Sequence, residues 1–582
     1  MKSGEKTLIL HYVSTFYVMN LSRITSAAIL FLLSFVTCED LHAIPARPVV
    51  LTDTLADGST VSYRLTGDES SHRFVSTDGR TLVVDSVSGK LRYATPGEEA
   101  ATNTPRHAPR RMPSRAPESM LLTDYPSTGS PRSLVIVAEY SDVKLSIAEP
   151  MDYFNGLLNT KGFDRDGATG SVRDYFEASS DGQFTPVFDV YGIVTLPKSQ
   201  KYYGENGPGG GDLRAHEMII DACDILSSQG VDFSVYDCND DGFIDNVYVF
   251  YAGRGEATGM AKDVNTVWPH SWDIFSAGAG KHVYNGKILN HYACSNEISY
   301  DDGIEGLGAF CHEFSHVLGL PDLYPTASAG PISPDQWSVL DTGGYLNDGR
   351  TPPLYSSFER MSMGWMKPQI ITSAGIYTLN PLDSSNHAYM IETDNDNEFF
   401  LFENRRKRGW DSYLQGNGML VWHIDYDKNV WYENKVNNQR SHQRVDVVEA
   451  VGRSAANPYS KPSDLFPGTG GITEFTATSI PAFLSWSRKD PGLPLTEIRE
   501  EGDLIVFRAG SGCDSGIDDI TAAPGIVISG GAAVTISGTD LPARIYDLSG
   551  REVYSGTERT IPLAPGIYIV LLGEHTAKVA VI

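Results

Sequence analysis

Residues 308–324 read Gly-Ala-Phe-Cys-His-Glu-Phe-Ser-His-Val-Leu-Gly-Leu-Pro-Asp-Leu-Tyr and leave the chain few local options. Phe310, Phe314, Val317 and Leu318 recur at helical spacing, which predicts a helix with a buried face. Gly319 stops it and Pro321 forbids its resumption. On such a helix His312 and His316 project from one face, with Glu313 beside them. The reversal at Gly319 returns Asp322 toward the same point. Two imidazoles and a carboxylate form the three-ligand set that holds a catalytic zinc ion with one position open, and Glu313 stands where a general base is needed. A carboxylate at Asp322 has a second role open to it, as hydrogen-bond partner of a ligating histidine. The competing reading is a solvated helix merely decorated by His and Glu. It leaves unexplained why large apolar residues interleave with them.

A chain of 582 residues is too long for one core, so several domains are expected. The formal charge of −27 argues against nucleic acid and anionic membrane as partners, and suits an exported, calcium-binding protein. Ala27–Val36 is apolar but too short to span a bilayer, and Arg23 precedes it. Leu41-His-Ala43 or Ile44-Pro-Ala46 offers a cleavage site, so residues 1–46 read as a signal peptide and the protein as secreted or cell-surface. A lipoprotein signal at Cys38 is the alternative. No other stretch is apolar enough to span a membrane. Export would leave Cys223, Cys238, Cys294, Cys311 and Cys513, an odd number that does not read as a disulfide framework.

Residues 47–97 alternate Val, Thr and Tyr between Asp57-Gly58, Asp78-Gly79 and Ser88-Gly89 turns, a small β-rich domain. Residues 98–131 form a Pro/Arg-rich linker. A folded unit before a cuttable linker suggests a propeptide and hence a zymogen; an accessory domain on a tether is the other reading. From 132 to 372 apolar strands (Leu134–Ala138, Val247–Tyr251) alternate with helical segments opening at Ser171 and running from Leu213 to Leu226, so the catalytic domain is expected to be α/β. Residues 373–512 read as a β-rich accessory domain, with strands at 398–403, 419–425 and 445–449, and 516–582 as a further small β domain.

Within the α/β part, Asp237-Cys-Asn-Asp-Asp-Gly-Phe-Ile-Asp245 resembles the opening of an EF-hand loop. Asp237, Asn239, Asp241 and Asp245 then bind Ca2+ around a turn at Gly242. Tyr248 stands where a bidentate Glu is normal, so an acidic β-turn is the alternative. In Trp337–Tyr345, Leu340 occupies the place where metzincins carry a methionine beneath the metal, and Tyr345 is a candidate donor to an oxyanion, a structural tyrosine in a Gly-rich turn being the commoner reading. His423 and Asp425 alternate along one strand and read as a hydrogen-bonded pair bracing it. Glu403, Asn404 and Asp464 are further polar candidates.

The zinc motif, together with Gly129–Asp142, Val267-Trp-Pro-His270, Gly349–Arg360, Gly364-Trp365, Gly409–Leu414 and Trp422–Asp425, resembles the immune inhibitor A family of secreted bacterial metallopeptidases. The resemblance implies a metzincin-like zinc endopeptidase with His312, His316 and Asp322 as Zn2+ ligands and Glu313 catalytic, acting on protein or peptide substrates. Ile545–Val553 and Gly566–Val570 resemble the C-terminal sorting domains of type IX secretion, which implies that machinery as a partner. A surface adhesin or glycan-binding protein carrying an inactive protease fold is the rival expectation.

Overall fold

The computed structural model describes residues 43–69, 71–102, 121, 123–207, 210–326, 334–452, 459–510, 527–529, 533–573 and 575–581. The apolar run at 27–36, Cys38, Cys513 and most of the expected linker lie outside the described residues. The chain divides into two compact units at Gly510. Both are rich in strands and poor in helices, as expected of a multidomain protein carrying one mixed domain. Among the described residues no helix is long and apolar enough to cross a membrane.

In the first unit, β1 (Leu51–Thr54), β2 (Thr60–Gly67), β3 (His72–Ser76), β4 (Thr81–Val84) and β5 (Leu91–Tyr93) form an antiparallel meander. β3 and β5 escape the sequence reading because they are short and carry His, Arg and Ser.

The central sheet is built from β6 (Arg132–Glu139), β7 (Val187–Thr195), β8 (Val247–Arg254), β9 (His270–Asp273) and, after the hairpin of β10 (His282–Tyr284) and β11 (Lys287–Leu289), β12 (His291–Ile298). Its order is β7-β6-β8-β12-β9, parallel except for β9. A fully apolar strand such as β6 belongs where both faces are covered. Val135 and Val137 accordingly enter one core and Leu134, Ile136 and Ala138 another. Helices α1 (Pro150–Asn159) and α2 (Val172–Ser179) contribute to the first core, and α3 (Ala215–Ser228) to the second. Ser171 caps α2, its hydroxyl accepting from the Asp174 amide while Asp174 accepts from the Ser171 amide.

Helix α4 (Gly308–Val317) is buried along its whole length, the polar side chains included, rather than on one face only. Phe310 stacks on Phe250 and Phe314 at 5.6 and 5.5 Å. Truncating either ring to Ala is expected to cost about 3–5 kcal/mol. The sharp exit at Gly319 has φ +99°, a conformation glycine adopts without steric cost.

After α5 (Ser357–Ser362), two more sheets complete the unit. β13 (Gln369–Ile370), β15 (Tyr389–Glu392), β16 (Glu398–Arg405), β17 (Gly418–Asp425) and β18 (Val445–Val447) form one. β14 (Gly375–Leu379), β20 (Leu504–Ala509) and β19 (Leu495–Glu501) form the other. Leu401, Leu420, Trp422 and Ile424 enter the same core as Phe310 and Phe314, so hydrophobic packing is continuous across residue 372. Phe400, Phe402, Met419 and Val421 point the other way, onto the second sheet. Helix α6 (Lys428–Tyr432) follows β17, its N-terminus capped by Asp427.

The second unit has its own apolar core, including Val534, Ile536, Ile545, Val570 and Leu572. One sheet is β21 (Val527–Ser529), β22 (Val534–Ser537) and β25 (Thr560–Ile561); the other is β24 (Glu552–Gly556), β23 (Ala543–Asp547), β26 (Gly566–Leu572) and β27 (His575–Val581).

Candidate metal centre and cleft

Side chains at i and i+4 of a helix share a face, and α4 uses this to bring His312 and His316 together. Each ring is fixed from behind. His312 Nδ1 donates to the Val339 carbonyl at 2.7 Å and His316 Nδ1 to the Leu320 carbonyl at 2.8 Å. A carbonyl only accepts, so both rings carry the Nδ1 proton and turn Nε2 forward as an acceptor. The two Nε2 atoms lie 3.1 Å apart, and Asp322 Oδ1 lies 3.1 and 3.2 Å from them. Three acceptors facing one another repel unless a cation sits among them. A tetrahedral zinc with bonds of about 2.0–2.1 Å needs ligand edges of roughly 3.3–3.4 Å, so the triangle fits that ion with little adjustment. Among the described residues His312, His316 and Asp322 are the one group of three or more His, Cys, Asp or Glu whose ligand atoms converge within 4.8 Å.

Glu313, the next residue on α4, is fully buried. Its Oε1 accepts from the amide of Ile44 at 2.7 Å. Burial pushes its carboxyl well above the usual range; the Ile44 amide opposes this and the Asp322 charge adds to it.

Ile44 belongs to a strap, residues 43–47, packed over Glu313. Trp268 Nε1 donates to the Ile44 carbonyl at 2.9 Å and Tyr345 Oη to the Pro45 carbonyl at 2.7 Å. Tyr324 donates to the Ala43 carbonyl. The guanidinium of Arg47 pairs with Glu305 and lies 4.4 Å over the Tyr345 ring. Ala43 and Ile44 have no exposed surface. Residues 43–46, expected within the signal peptide, are thus packed against the site. Tyr345, for which the sequence leaves an oxyanion and a structural role open, donates to a strap carbonyl. Val267-Trp-Pro-His270 acquires a role here, since His270 Nδ1 holds the Trp268 carbonyl at 2.6 Å.

Leu340 is buried, and its carbonyl accepts from the Leu323 amide at 3.0 Å, tying the apolar turn to the chain just after Asp322. Asn434 was not legible as a site residue: an asparagine after a short helix carries no signal of its own. Its Nδ2 donates to Asp322 Oδ2 at 2.7 Å and its Oδ1 accepts from the Asp322 amide at 2.9 Å.

The Asp237–Asp245 loop does not gather its carboxylates. Asp237 accepts from the Asp241 and Gly242 amides at 3.1 and 3.0 Å and from Lys287 Nζ at 2.5 Å. Asp241 caps the Phe243 amide and Asp245 the Cys238 amide, both at 2.8 Å. Among the described residues the three aspartates form no converging group, and Asn239 binds back to the Asp241 amide. Lys287 sets a positive charge beside Asp237.

His423 and Asp425 do not pair with each other. His423 bonds Glu398 at 2.7 Å, while Asp425 takes His442 at 2.6 Å and Arg444 at 2.8 Å. Cross-strand register decides this: His423 lies opposite Phe400, whose ring it stacks on at 4.1 Å, within reach of Glu398 on the same face. Glu403 binds Arg405, Asn404 donates to the Leu379 carbonyl, and Asp464 accepts from Trp337 Nε1, all as internal braces.

A buried helix carrying two imidazoles and an acid, with a carboxylate returned by the following bend, offers a metal ion three converging ligands. Residues 151–371 match the family described as immune inhibitor A peptidase M6, catalytic domain, so the chain carries a peptidase M6 domain. It is 28% identical over 254 residues to the pre-pro-metalloprotease PrtV of Vibrio cholerae serotype O1, covering 39% of this chain and 27% of PrtV. It is likewise 28% identical over 265 residues to immune inhibitor A of Bacillus thuringiensis subsp. alesti, covering 38% of each. The matches therefore span well under half of either relative.

Proposed function

We propose that this chain is a secreted, zinc-dependent endopeptidase made in a latent form. The observation that carries the reading is the triangle of His312 Nε2, His316 Nε2 and Asp322 Oδ1 beside Glu313. Zinc held there supplies Lewis acidity and brings the pKa of water toward neutrality. Glu313 accepts the proton of the attacking water and returns it to the leaving amine. Its Oε1 already faces an amide nitrogen, that of Ile44, in the place a leaving amine takes. Tyr345 and Trp268 align the peptide backbone through its carbonyls. The helix and the turn at Val339–Leu340 beneath it support the metzincin-like architecture. An inert adhesin has no use for so complete a ligand set.

Latency follows from the strap and requires that export leave residues 43–47 on the chain, with signal cleavage ahead of Ala43. With residues 43–47 in the cleft no substrate reaches Glu313, and the β1–β5 meander that continues from it acts as a propeptide. The second unit serves export, by its resemblance to type IX sorting domains. Calcium has less support, because Lys287 already neutralises Asp237.

The test is Glu313→Gln in the processed enzyme. Loss of peptide hydrolysis by roughly 10²–10⁴-fold with one zinc still bound is expected. Wild-type turnover in that variant removes the mechanism, and a wild-type protein without metal removes the zinc assignment.

A further inference from the structure

We propose that Asn434 is a positioning residue of the metal centre, so that the β-rich region after residue 372 sets the third ligand. This rests on the zinc reading above. A monodentate carboxylate ligand must present one oxygen and have the other engaged. Asp322 meets this condition: Oδ1 faces the two imidazoles, and Oδ2 accepts from Asn434 Nδ2 at 2.7 Å. The return bond, from the Asp322 amide to Asn434 Oδ1 at 2.9 Å, closes a ring that fixes the carboxylate relative to its own backbone.

Only a side chain that donates and accepts at once can close such a ring, and a neutral amide does so without setting a second charge beside a buried carboxylate. Asn434 is 4% exposed and adopts φ +46°, a region asparagine enters more readily than most residues. Its neighbours hold the same stretch. Asn437 Nδ2 donates to the Leu323 carbonyl at 2.7 Å, and Thr326 Oγ1 donates to the Asn434 carbonyl at 2.6 Å. Residues 434–437 thus grip 322–326 at several points, and Asn434 reaches the ligand carboxylate.

Two variants of the full chain separate positioning from general support. Asn434→Gly removes the amide while keeping the left-handed backbone unstrained; Asn434→Asp keeps the shape and replaces the donor by an oxygen. Zinc affinity is read by competition with a chromogenic chelator, the ligand field by the visible spectrum of the Co2+-loaded protein, and folding by thermal unfolding of the metal-free protein. Both variants should bind zinc 10–100-fold more weakly and shift the cobalt bands; metal-free unfolding should change little in Asn434→Gly and fall in Asn434→Asp, which sets a second charge beside the buried Asp322 carboxylate. Wild-type affinity and bands in both variants overturn the proposal. So does a lowered unfolding temperature with unchanged affinity, which marks a structural role alone. If Asn434→Gly does not fold, Asn434→Asp decides. A wild-type chain that holds no zinc overturns the zinc reading and this inference together, a result distinct from a variant that holds it normally.

Discussion

Ile44 and Glu313 stand 269 positions apart and meet through one hydrogen bond, the Ile44 amide donating to Glu313 Oε1 at 2.7 Å. The strap is anchored further along by Arg47, which with Glu305 forms a buried ion pair. Removing one partner of such a pair strands the other charge, at a cost of about 3–5 kcal/mol. Arg47→Ala should therefore loosen the strap and give the unprocessed chain at least ten times more activity on a fluorogenic peptide. Equal residual activity in the two proteins would show that Arg47 does not secure latency.

The strap's occupancy also forecasts specificity. The Ile44 side chain is wholly buried, and a Cβ placed on Gly344 would lie 3.4 Å from its Cδ1. If a substrate lies as the strap does, the residue that follows the scissile bond takes the place of Ile44, so medium aliphatic side chains should be favoured there. Gly344→Val shortens the pocket and should lower kcat/KM for an isoleucine substrate by roughly 10–200-fold relative to alanine. An unchanged ratio in a peptide-library digest would place the specificity elsewhere.

Docking of the meander should weaken as pH rises. His72 on β3 donates from Nδ1 to the Asp68 carbonyl at 2.9 Å and from Nε2 to Glu256 at 3.1 Å, and stacks on Trp268. Two acceptors require both ring protons. Burial alone would lower the imidazole pKa, but the Glu256 carboxylate outweighs it and holds the value above the usual one. A raised folded-state pKa stabilises fully below about 6.5 and ceases to do so as pH climbs through the raised value. Hydrogen exchange of β2 and β3, corrected for intrinsic rates, should accelerate over that window in wild type and not in His72→Gln. Superimposable pH profiles would refute this.

Arg405 tests the join across residue 372. It is fully buried, bonded to Glu403 at 2.7 Å and Asp411 at 2.9 Å, while Glu403 and Asp411 bind the Ser357 and Leu354 amides at 2.5 and 3.0 Å. Arg405→Met leaves two carboxylates without their cation and should cost about 3–5 kcal/mol in thermal unfolding. A change below 1 kcal/mol would mean that the network contributes little.

The sequence displays the metal centre because its ligands are tied by local geometry: two positions on one helical turn and one just past a glycine. The same holds for β6 and β8, whose unbroken apolar runs require burial on both faces. What it hides depends on distant parts of the chain. His423 and Asp425 look like partners along a strand, yet the neighbouring strand and loop supply Glu398, His442 and Arg444. The spacing of Asp237–Asp245 suggests an ion, and nothing in it reveals that Lys287, from the β10–β11 hairpin, bonds Asp237. Asn434 and the strap are invisible for the same reason: nothing local marks a residue whose partner lies a hundred or more positions away.

The order of these pieces along the chain fixes when each can act during synthesis. The peptide that meets Glu313 leaves the ribosome before the helix that carries it, and the asparagine bonded to Asp322 emerges 112 residues after it. If the strap restrains the site as proposed, that restraint is made before the machinery it restrains is complete.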